Sequence, residues 1–303
     1  MAIIVTGASG QFGRAAADLL IQQVPPSELI LTTRKPEKLA DLAARGAHVR
    51  HADFDDPASL TPAFAGGTKM LLISTARVGT RVGQHANAIN AAKAAGVTHI
   101  AYTSFINCDL DDNPAIVKLD HRATEELMEG SGMAWTHLRD SQYAEAVAQV
   151  IAPVAIMNGK QPGSAGDGGV AFVSRDDCVA CAVAVLTSPG HENTAYTLTG
   201  PEILTFPKAI AMISEISGKP ITYELVTDDD MFAFFDAMGA PRHASDIVPD
   251  GPIPWSSDDM VTFERAIREG FLDKKTDDVE RLTGRKPRSL RDVLLQYAPT
   301  WPK

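Results

Sequence analysis

The first 140 residues alternate short apolar runs with helical segments, and this alternation limits the fold more than any other feature. Strands are predicted at 2–7, 29–33, 49–53, 70–74 and 99–104, with helices at 13–23, 36–46, 57–66 and 84–96. Strands that alternate with helices are typical of βαβ units and a parallel sheet. The strand runs are apolar throughout, as expected when helices cover both faces of the sheet. Right-handed crossovers then favour an α/β fold with a doubly wound parallel sheet, the Rossmann fold.

The second half of the chain has shorter and less regular elements. A helix from about 115 leads to a strand at 133–139, and a further strand is predicted at 170–175, followed by a helix with Asp176 or Asp177 as N-cap. We expect residues 1–150 to form the Rossmann domain. Residues 151–303 are expected to form a small interleaved α/β substrate lobe, with about 170–190 returning to the first domain.

Composition excludes several classes of function. The chain has 303 residues and a formal net charge of −10, which argues against nucleic acid or a membrane surface as the partner. No apolar run approaches the roughly 20 residues that span a bilayer, and the strand at residue 2 leaves no room for a signal peptide. Three cysteines suit a reducing cytoplasm, and Cys178-Val-Ala-Cys181 fits buried helix positions better than a metal site. We expect a monomer or homodimer.

Three glycines follow the first predicted strand at intervals of three. The loop holds Gly7, Gly10 and Gly13, with Ser9, Gln11 and Phe12 between them, and an alanine-rich helix follows directly. Glycine permits a positive φ and removes the Cβ that would keep a ligand away from the backbone. The N–H groups at the helix N-terminus then face an anion. In this strand-to-helix context the loop predicts a dinucleotide site.

The end of the second strand indicates which dinucleotide binds. NAD sites usually place an acid there, about 20 residues after the glycine loop, to bind the ribose hydroxyl. Here the strand runs into Arg34-Lys35, and Lys38 follows in the next helix. A guanidinium suits a 2′-phosphate, so NADP(H) is predicted in preference to NAD(H). Asp53 and Phe54 close the third strand, where Asp53 either meets the adenine or serves the turn.

These motifs resemble the NmrA-like, atypical short-chain dehydrogenase/reductase group. The resemblance rests on TGASGQFG, the exit at Arg34, HADFDDPASL, HANAINAAKAAGVTHIAYTS, HRATEELMEGSGMAWTHLR and GRKPRSLRDVL. The branch of bacterial NAD(P)H:quinone oxidoreductases and triphenylmethane reductases is the most similar one. The group contains reductases of quinones, dyes and aromatic double bonds, and also NADP sensors without turnover. The Tyr-x-x-x-Lys pair of the wider superfamily is absent from this sequence.

Candidate catalytic residues lie at the carboxyl ends of the fourth, fifth and sixth strands and on the helix after the fifth. Open parallel sheets bind ligands at this edge. The polar groups there are Ser74, Thr75, Thr103 and Ser104, which we expect to contact the nicotinamide half of the cofactor. Ser104 is also a candidate donor to a carbonyl oxygen of the substrate, but Ser104 and Thr75 are equally suited to a turn. His121 matches the histidine of the H-x-x-T-E pattern in the resembling branch and is a candidate proton donor, or else a half-buried histidine capped by Glu125.

The resemblance also brings Lys118 into the candidate set, because related reductases carry a lysine near this position. Tyr143 offers a hydroxyl or an aromatic wall to the substrate, or only packs on its helix. It follows Asp140, where the resembling branch usually has asparagine. Phe105 follows the predicted fifth strand and is a candidate substrate contact.

An aromatic segment in the second half predicts a cover for the substrate. Phe232, Phe235 and Trp255 are candidate contacts for a flat apolar molecule, or else core residues of the lobe. The leading prediction is an NADPH-dependent reductase of a flat aromatic, quinonoid or carbonyl compound. The alternatives are a non-catalytic NADP(H) sensor and an NADP-dependent dehydrogenase of an aromatic secondary alcohol.

Overall fold

The protein is built on a seven-stranded sheet with helices on both faces. The computed structural model describes residues 2–76, 78–247, 253 and 255–303. The strands are β1 (Ile3–Val5), β2 (Leu29–Thr33), β3 (His48–His51), β4 (Lys69–Leu72), β5 (His99–Phe105), β6 (Ala134–Asp140) and β9 (Thr194–Leu198). Their order is β3-β2-β1-β4-β5-β6-β9, and every pair is parallel. The predicted doubly wound sheet is confirmed.

Helices connect consecutive strands across the two faces. They are α1 (Gln11–Leu20), α2 (Ala40–Ala44), α3 (Pro57–Phe64), α4 (Arg81–Ala94), α5 (Val117–Glu129), α6 (Ala144–Ala146), α7 (Ala152–Asn158) and α8 (Arg175–Thr187). Alternate residues of a strand enter different cores, as the pleat requires. Ile3 and Val5 pack with α1 and α8, whereas Ile4 packs on the opposite face with α3 and α4. The sheet is thus buried on both sides.

The C-terminal lobe has a core of its own. The lobe contains β7 (Lys160–Gly163), β8 (Gly169–Val170), β10 (Leu204–Thr205), α9 (Phe206–Ser217), β11 (Thr222–Leu225), α10 (Asp228–Ala237), α11 (Ser257–Arg268) and α13 (Leu290–Tyr297). Helix α12 (Asp278–Thr283) packs instead with α1 and α8 in the core of the sheet domain. Phe105, the last residue of β5, and Ile106, which follows it, belong to this second core. The lobe therefore packs directly on the carboxyl edge of the sheet. No helix in the described residues is long and apolar enough to cross a membrane.

Three local predictions need correction or extension. The strand predicted at 170–175 is only Gly169–Val170, and Val173 makes a single bridge to Tyr143. The N-cap of α8 is Ser174, whose hydroxyl accepts from the Asp176 N–H, and not either aspartate. The return of the chain to the Rossmann domain also extends beyond about 190, because β9 pairs with β6 along the sheet edge.

Candidate active site

The glycine loop forms a tight backbone turn between β1 and α1. Gly7 has a φ of +57°, a conformation that side chains other than glycine rarely adopt. The Gly10 N–H donates to the Gly7 carbonyl at 2.9 Å. A Cβ on Gly13 would lie 2.5 Å from the Gly7 carbonyl oxygen and 2.8 Å from Ala8 Cα. Helix α1 can therefore approach the loop only with glycine at this position.

The N-terminus of α1 is open to an anion. Within this fully described helix, Gly10 at the N-cap has no side chain to accept an N–H, and the first turn carries no acidic residue. By contrast, α8, α9, α10, α11 and α13 all begin with a serine or threonine cap. Uncapped N–H groups and the positive end of the helix dipole fit a pyrophosphate. The geometry of the predicted loop thus fits the dinucleotide.

The end of β2 lies beside this loop. The Ser9 and Thr33 hydroxyls are 2.6 Å apart, and Thr33 Oγ1 also accepts the Lys35 N–H at 3.1 Å. Arg34 and Lys38 are exposed. Neither forms an ion pair with another part of the chain that the structure describes. Arg34 directly follows Thr33, and an exposed guanidinium at this strand end fits the 2′-phosphate of NADP(H).

Asp53 and Phe54 make turn contacts after β3. Asp53 Oδ1 accepts the Asp55 N–H at 3.0 Å, a bond that stabilises the turn after β3. The Phe54 carbonyl accepts from Asn87 Nδ2 at 2.9 Å. Both side chains are partly exposed. Their contact with adenine stays a prediction.

The ends of β4 and β5 are joined by hydrogen bonds. Thr103 Oγ1 accepts the Ser74 N–H at 2.9 Å, and Thr75 Oγ1 donates to Gln84 at 2.7 Å. The Thr75 N–H donates to His85 Nε2 at 3.2 Å. His85 is therefore neutral and carries its proton on Nδ1, consistent with burial that lowers its pKa to about 3. These contacts fix the strand ends where the nicotinamide half of the cofactor is expected.

Ser104 faces α5 and not the ligand edge. Its hydroxyl donates to Glu125 Oε1 at 2.7 Å, and both groups are buried. Arg139 binds the same carboxylate through Nε and Nη2 at 2.9 and 2.7 Å. Although burial alone would raise the pKa of Glu125, the hydrogen bonds from Arg139 lower it. Ser104 is thus part of a buried ion-pair network, which corrects its assignment as a catalytic or cofactor contact.

His121 is fully enclosed and does not contact Glu125, so both readings of it need correction. Its Nε2 lies 2.9 Å from an Arg81 nitrogen, and its Nδ1 lies 2.9 Å from the Tyr102 hydroxyl. Arginine can only donate, so Nε2 is the acceptor and Nδ1 carries the proton. Burial and the nearby Arg81 hold the pKa of His121 well below its ordinary value. A neutral histidine with both nitrogens occupied is unsuited to proton donation.

Lys118 is also committed to the protein. Its Nζ donates to the Leu110 and Asp111 carbonyls, each at 2.7 Å, and the residue is buried. It therefore fastens the loop after β5 and does not share a site with His121, although both lie on α5. Its assignment as a catalytic residue is corrected accordingly.

Tyr143 follows β6 at the carboxyl edge of the sheet. Its hydroxyl donates to Asp140 Oδ2 at 2.5 Å. Its half-buried ring packs on the core between the sheet and α8, and the Arg175 guanidinium lies 5.5 Å from the ring centroid. Of the four catalytic candidates, Tyr143 is the one left at the ligand edge.

Sequence reasoning missed a buried charge cluster between the two lobes. The Arg81 guanidinium lies 3.5 Å from Asp120 Oδ2 and donates to the Ala76 carbonyl at 3.2 Å. Asp259, on α11, is buried nearby, and burial raises its pKa to about 6. The residues come from three helices, so no spacing along the chain pointed to them.

The aromatic cover is half-buried at the edge of the C-terminal lobe. Phe235 and Trp255 meet edge to face with ring centroids 5.4 Å apart, and the Arg242 guanidinium lies 3.7 Å above the Phe232 ring. Phe105, in contrast, is buried against Phe263 of α11 at 5.7 Å. Phe105 thus joins the sheet edge to the lobe, and the cover remains a predicted substrate contact.

One group of side chains has the spacing of a metal site. Single ligand atoms of Glu125, Glu129 and His137 all lie within 4.8 Å of one another. However, Glu125 already binds Arg139, and Glu129 lies 3.5 Å from Arg122. Two guanidiniums beside the carboxylates oppose a cation, so we assign no metal here.

Comparison with known proteins agrees with this geometry. The model of the NAD(P)H-binding family matches residues 7–189, so the protein belongs to that family. The predicted binding of NAD(P) is confirmed. Quinone oxidoreductase 2 of Escherichia coli is 39% identical over 88% of this chain and 93% of its own. An NAD(P)H azoreductase of Xenophilus azovorans is 28% identical over 98% of both chains.

Solved structures give the same result. The NADPH complex of an E. coli quinone oxidoreductase superposes with a TM-score of 0.87 at 36% identity, over 97% of this chain and 99% of that one. The NADP(H) complex of a Citrobacter triphenylmethane reductase has a TM-score of 0.84 at 32% identity, over 98% and 100%. The resemblance to NmrA-like reductases is confirmed, and the protein is an oxidoreductase.

Proposed function

We propose that the protein is an NADPH-dependent reductase that passes hydride to a flat aromatic, quinonoid or carbonyl compound. The observation that carries the cofactor preference is Arg34, an exposed guanidinium without an ion-pair partner in the described chain, beside the glycine loop. An NAD-preferring site would have an acid at this strand end. Lys38 adds a second cation, and the open N-terminus of α1 accepts the pyrophosphate.

The candidate substrate contacts support a flat acceptor. Tyr143 lies at the end of β6, and the pair of Phe235 and Trp255 extends from the C-terminal lobe. Aromatic rings stack on planar molecules and exclude water from the reacting atoms. The relatives named for quinones, azo compounds and triphenylmethane dyes all act on extended conjugated systems. We assign the same class of substrate to this protein.

The chain supplies binding, orientation and a proton. The nicotinamide, when bound, supplies the hydride. Ser74 and Thr103 hold the ends of β4 and β5 together, which fixes the floor for the nicotinamide ring. The Tyr143 hydroxyl is the assigned donor to a substrate oxygen, because Tyr143 is only half-buried and bonds to the single side chain of Asp140, whereas His121, Lys118 and Ser104 are buried. A quinone needs little acid catalysis, which suits a site without the tyrosine–lysine pair.

A label on the cofactor tests this function. The protein is incubated with a cationic triarylmethane dye and NADPH in which both hydrogens at C4 of the nicotinamide are replaced by deuterium. Direct hydride transfer forms a carbon–deuterium bond, so the colourless product gains one deuterium, detected by mass spectrometry. Product without the label, or tight NADPH binding with no consumption of any acceptor, contradicts the proposal; the second result is that expected of a sensor.

A further inference from the structure

Asp140 is a buried carboxyl group at the ligand edge of the sheet. It ends β6, pairs with Phe105 in the sheet, and is 5% exposed. Its Oδ2 accepts the Tyr143 hydroxyl at 2.5 Å, whereas Oδ1 has no hydrogen-bond partner of standard geometry among the described residues. An ionised carboxylate with an unpaired buried oxygen is costly, so this environment favours the neutral acid.

The groups around Asp140 do not supply a compensating cation. From α8, the Cys178 thiol is a weak donor towards Asp140, and the negative charge of Asp177 is engaged by Arg285. Cys181 lies on the same helix face and is neutral, since burial raises its pKa.

The remaining neighbours of Asp140 place no positive charge on its carboxyl group. The Arg175 guanidinium lies over the Tyr143 ring, 5.5 Å from its centroid, and not on the Asp140 carboxyl. In the sheet, Phe105 and Leu198 flank Asp140 and carry no charge. Burial consequently raises the pKa of Asp140 to about 7, against the lowering effect of hydrogen bonds from Tyr143 and Cys178.

We propose that Asp140 is the proton reservoir for Tyr143, so that the two side chains form a relay which protonates the reduced substrate. This inference rests on the proposed reductase function. The arrangement carries it: a buried carboxyl without a cationic partner is bonded to the one candidate hydroxyl that remains at the ligand edge. Tyr143 is the catalytic residue, and Asp140 acts through it as a positioning residue.

The direction of the hydrogen bond between the two side chains depends on the protonation of Asp140. The carboxylate accepts the Tyr143 hydroxyl, whereas the neutral acid donates through Oδ2–H to Tyr143 Oη and leaves the tyrosine proton free to point at the substrate. Addition of hydride to a quinone leaves negative charge on an oxygen; the Tyr143 O–H bond breaks, and its proton passes to that oxygen. Tyr143 takes the proton of Asp140, which becomes a carboxylate and is reprotonated by water after product release. Above the pKa of Asp140, the tyrosine proton is instead held by the carboxylate.

The chemistry of the acceptor provides an internal control. A quinone requires one proton in addition to hydride. A cationic triarylmethane dye becomes a neutral product by hydride addition alone, because a carbocation and a hydride form a carbon–hydrogen bond with no charge left over. Loss of the relay should therefore slow quinone reduction much more than dye reduction.

The experiment measures single-turnover reduction of a quinone and of a triarylmethane dye by the NADPH-loaded protein from pH 6 to 8. The variants are Asp140→Asn, Tyr143→Phe and, as a matched control, Ser141→Ala, which removes a neighbouring buried hydroxyl without a hydrogen-bond partner in the described structure. A positioned acid typically accelerates a reaction about 10²–10⁴-fold, and a quinone needs less acid catalysis than other acceptors. We therefore expect the rate of quinone reduction at pH 6 to fall about tenfold or more in Asp140→Asn and Tyr143→Phe.

We further expect the wild-type quinone rate to fall as the pH rises through about 7. This decline should disappear in Asp140→Asn and persist in Ser141→Ala. The ratio of the quinone rate to the dye rate should fall about tenfold or more in Asp140→Asn and Tyr143→Phe, and stay within about twofold of the wild-type ratio in Ser141→Ala. Equal losses with both acceptors overturn the relay in favour of a structural role. If Asp140→Asn reduces the quinone at the wild-type rate and its rate still falls as the pH rises, the relay is also overturned. A wild-type protein that reduces neither acceptor refutes the proposed function itself.

Discussion

Replacing Gly13 with alanine tests whether the close approach of α1 to the glycine loop is required. The new Cβ would lie 2.5 Å from the Gly7 carbonyl oxygen, and ordinary contact begins at 3.4 Å, so the backbone must move by 3.4 − 2.5 = 0.9 Å. Overpacking of this kind costs about 1–3 kcal/mol, and the higher helix propensity of alanine offsets about 0.5–1 kcal/mol. We expect a net loss of about 1–2 kcal/mol and a fall in Tm of about 2–4 °C.

The displaced loop should also weaken cofactor binding. Because the same backbone carries the N–H groups for the pyrophosphate, we expect the Kd for NADPH to rise about tenfold or more, measured by fluorescence titration. Gly83→Ala is the matched control: Gly83 lies in α4, and a Cβ there meets nothing within 4 Å. That variant should gain about 0.5–1 kcal/mol and bind NADPH normally. If Gly13→Ala behaves like Gly83→Ala in both assays, the reasoning is refuted.

Three further substitutions test the electrostatics. Arg34→Ala should lower kcat/KM for NADPH about 10–100-fold and leave that for NADH unchanged, whereas the exposed Arg45→Ala should affect neither; equal losses with both cofactors would contradict the assignment. Asp140→Asn should stabilise the protein more at pH 8 than at pH 4.5, because a pKa raised from 3.8 to about 7 penalises folding once the unfolded carboxyl ionises, with a ceiling of about 4 kcal/mol; thermal melts at both pH values that show equal gains would refute this. Glu125→Gln should lower the free energy of unfolding by about 1.5–3 kcal/mol in denaturant titrations, because it leaves Arg139 with only the half-exposed carboxylate of Asp109 as an ionic partner; a loss below about 1 kcal/mol would show that the Glu125–Arg139 pair is dispensable.

Local patterns predicted the first half of the fold well. The strand predicted at 29–33 matches β2 from end to end, because its apolar run and its flanking turns are encoded within a few residues. The place of β9 could not be predicted, since its pairing with β6 depends on tertiary packing. The apolar residues at 170–173 are buried between the two lobes. Only Gly169–Val170 forms a β-strand, because the rest of this run has almost no neighbouring strand to pair with.

The cofactor loop was predictable for the same reason, whereas the catalytic candidates were not. The spacing of three glycines is a local signal with a backbone cause. The tautomer of His121, in contrast, is set by its contact with Arg81, which lies 40 residues away in the sequence. Ser104, on β5, similarly finds its partner on helix α5, and the protonation of the Asp140–Tyr143 pair depends on burial against α8. Sequence gives the residue type, and only packing gives the direction of the side chain.

NADPH-dependent reduction of a quinone by the purified protein is measured by following NADPH absorbance, with NADH in a parallel assay. We predict sustained consumption of NADPH that requires both protein and quinone, with kcat/KM at least about tenfold higher than for NADH, as one charge-assisted phosphate contact implies. Consumption that favours NADH would contradict the role of Arg34. The absence of consumption with either cofactor, despite tight NADPH binding, would contradict the assignment as a reductase.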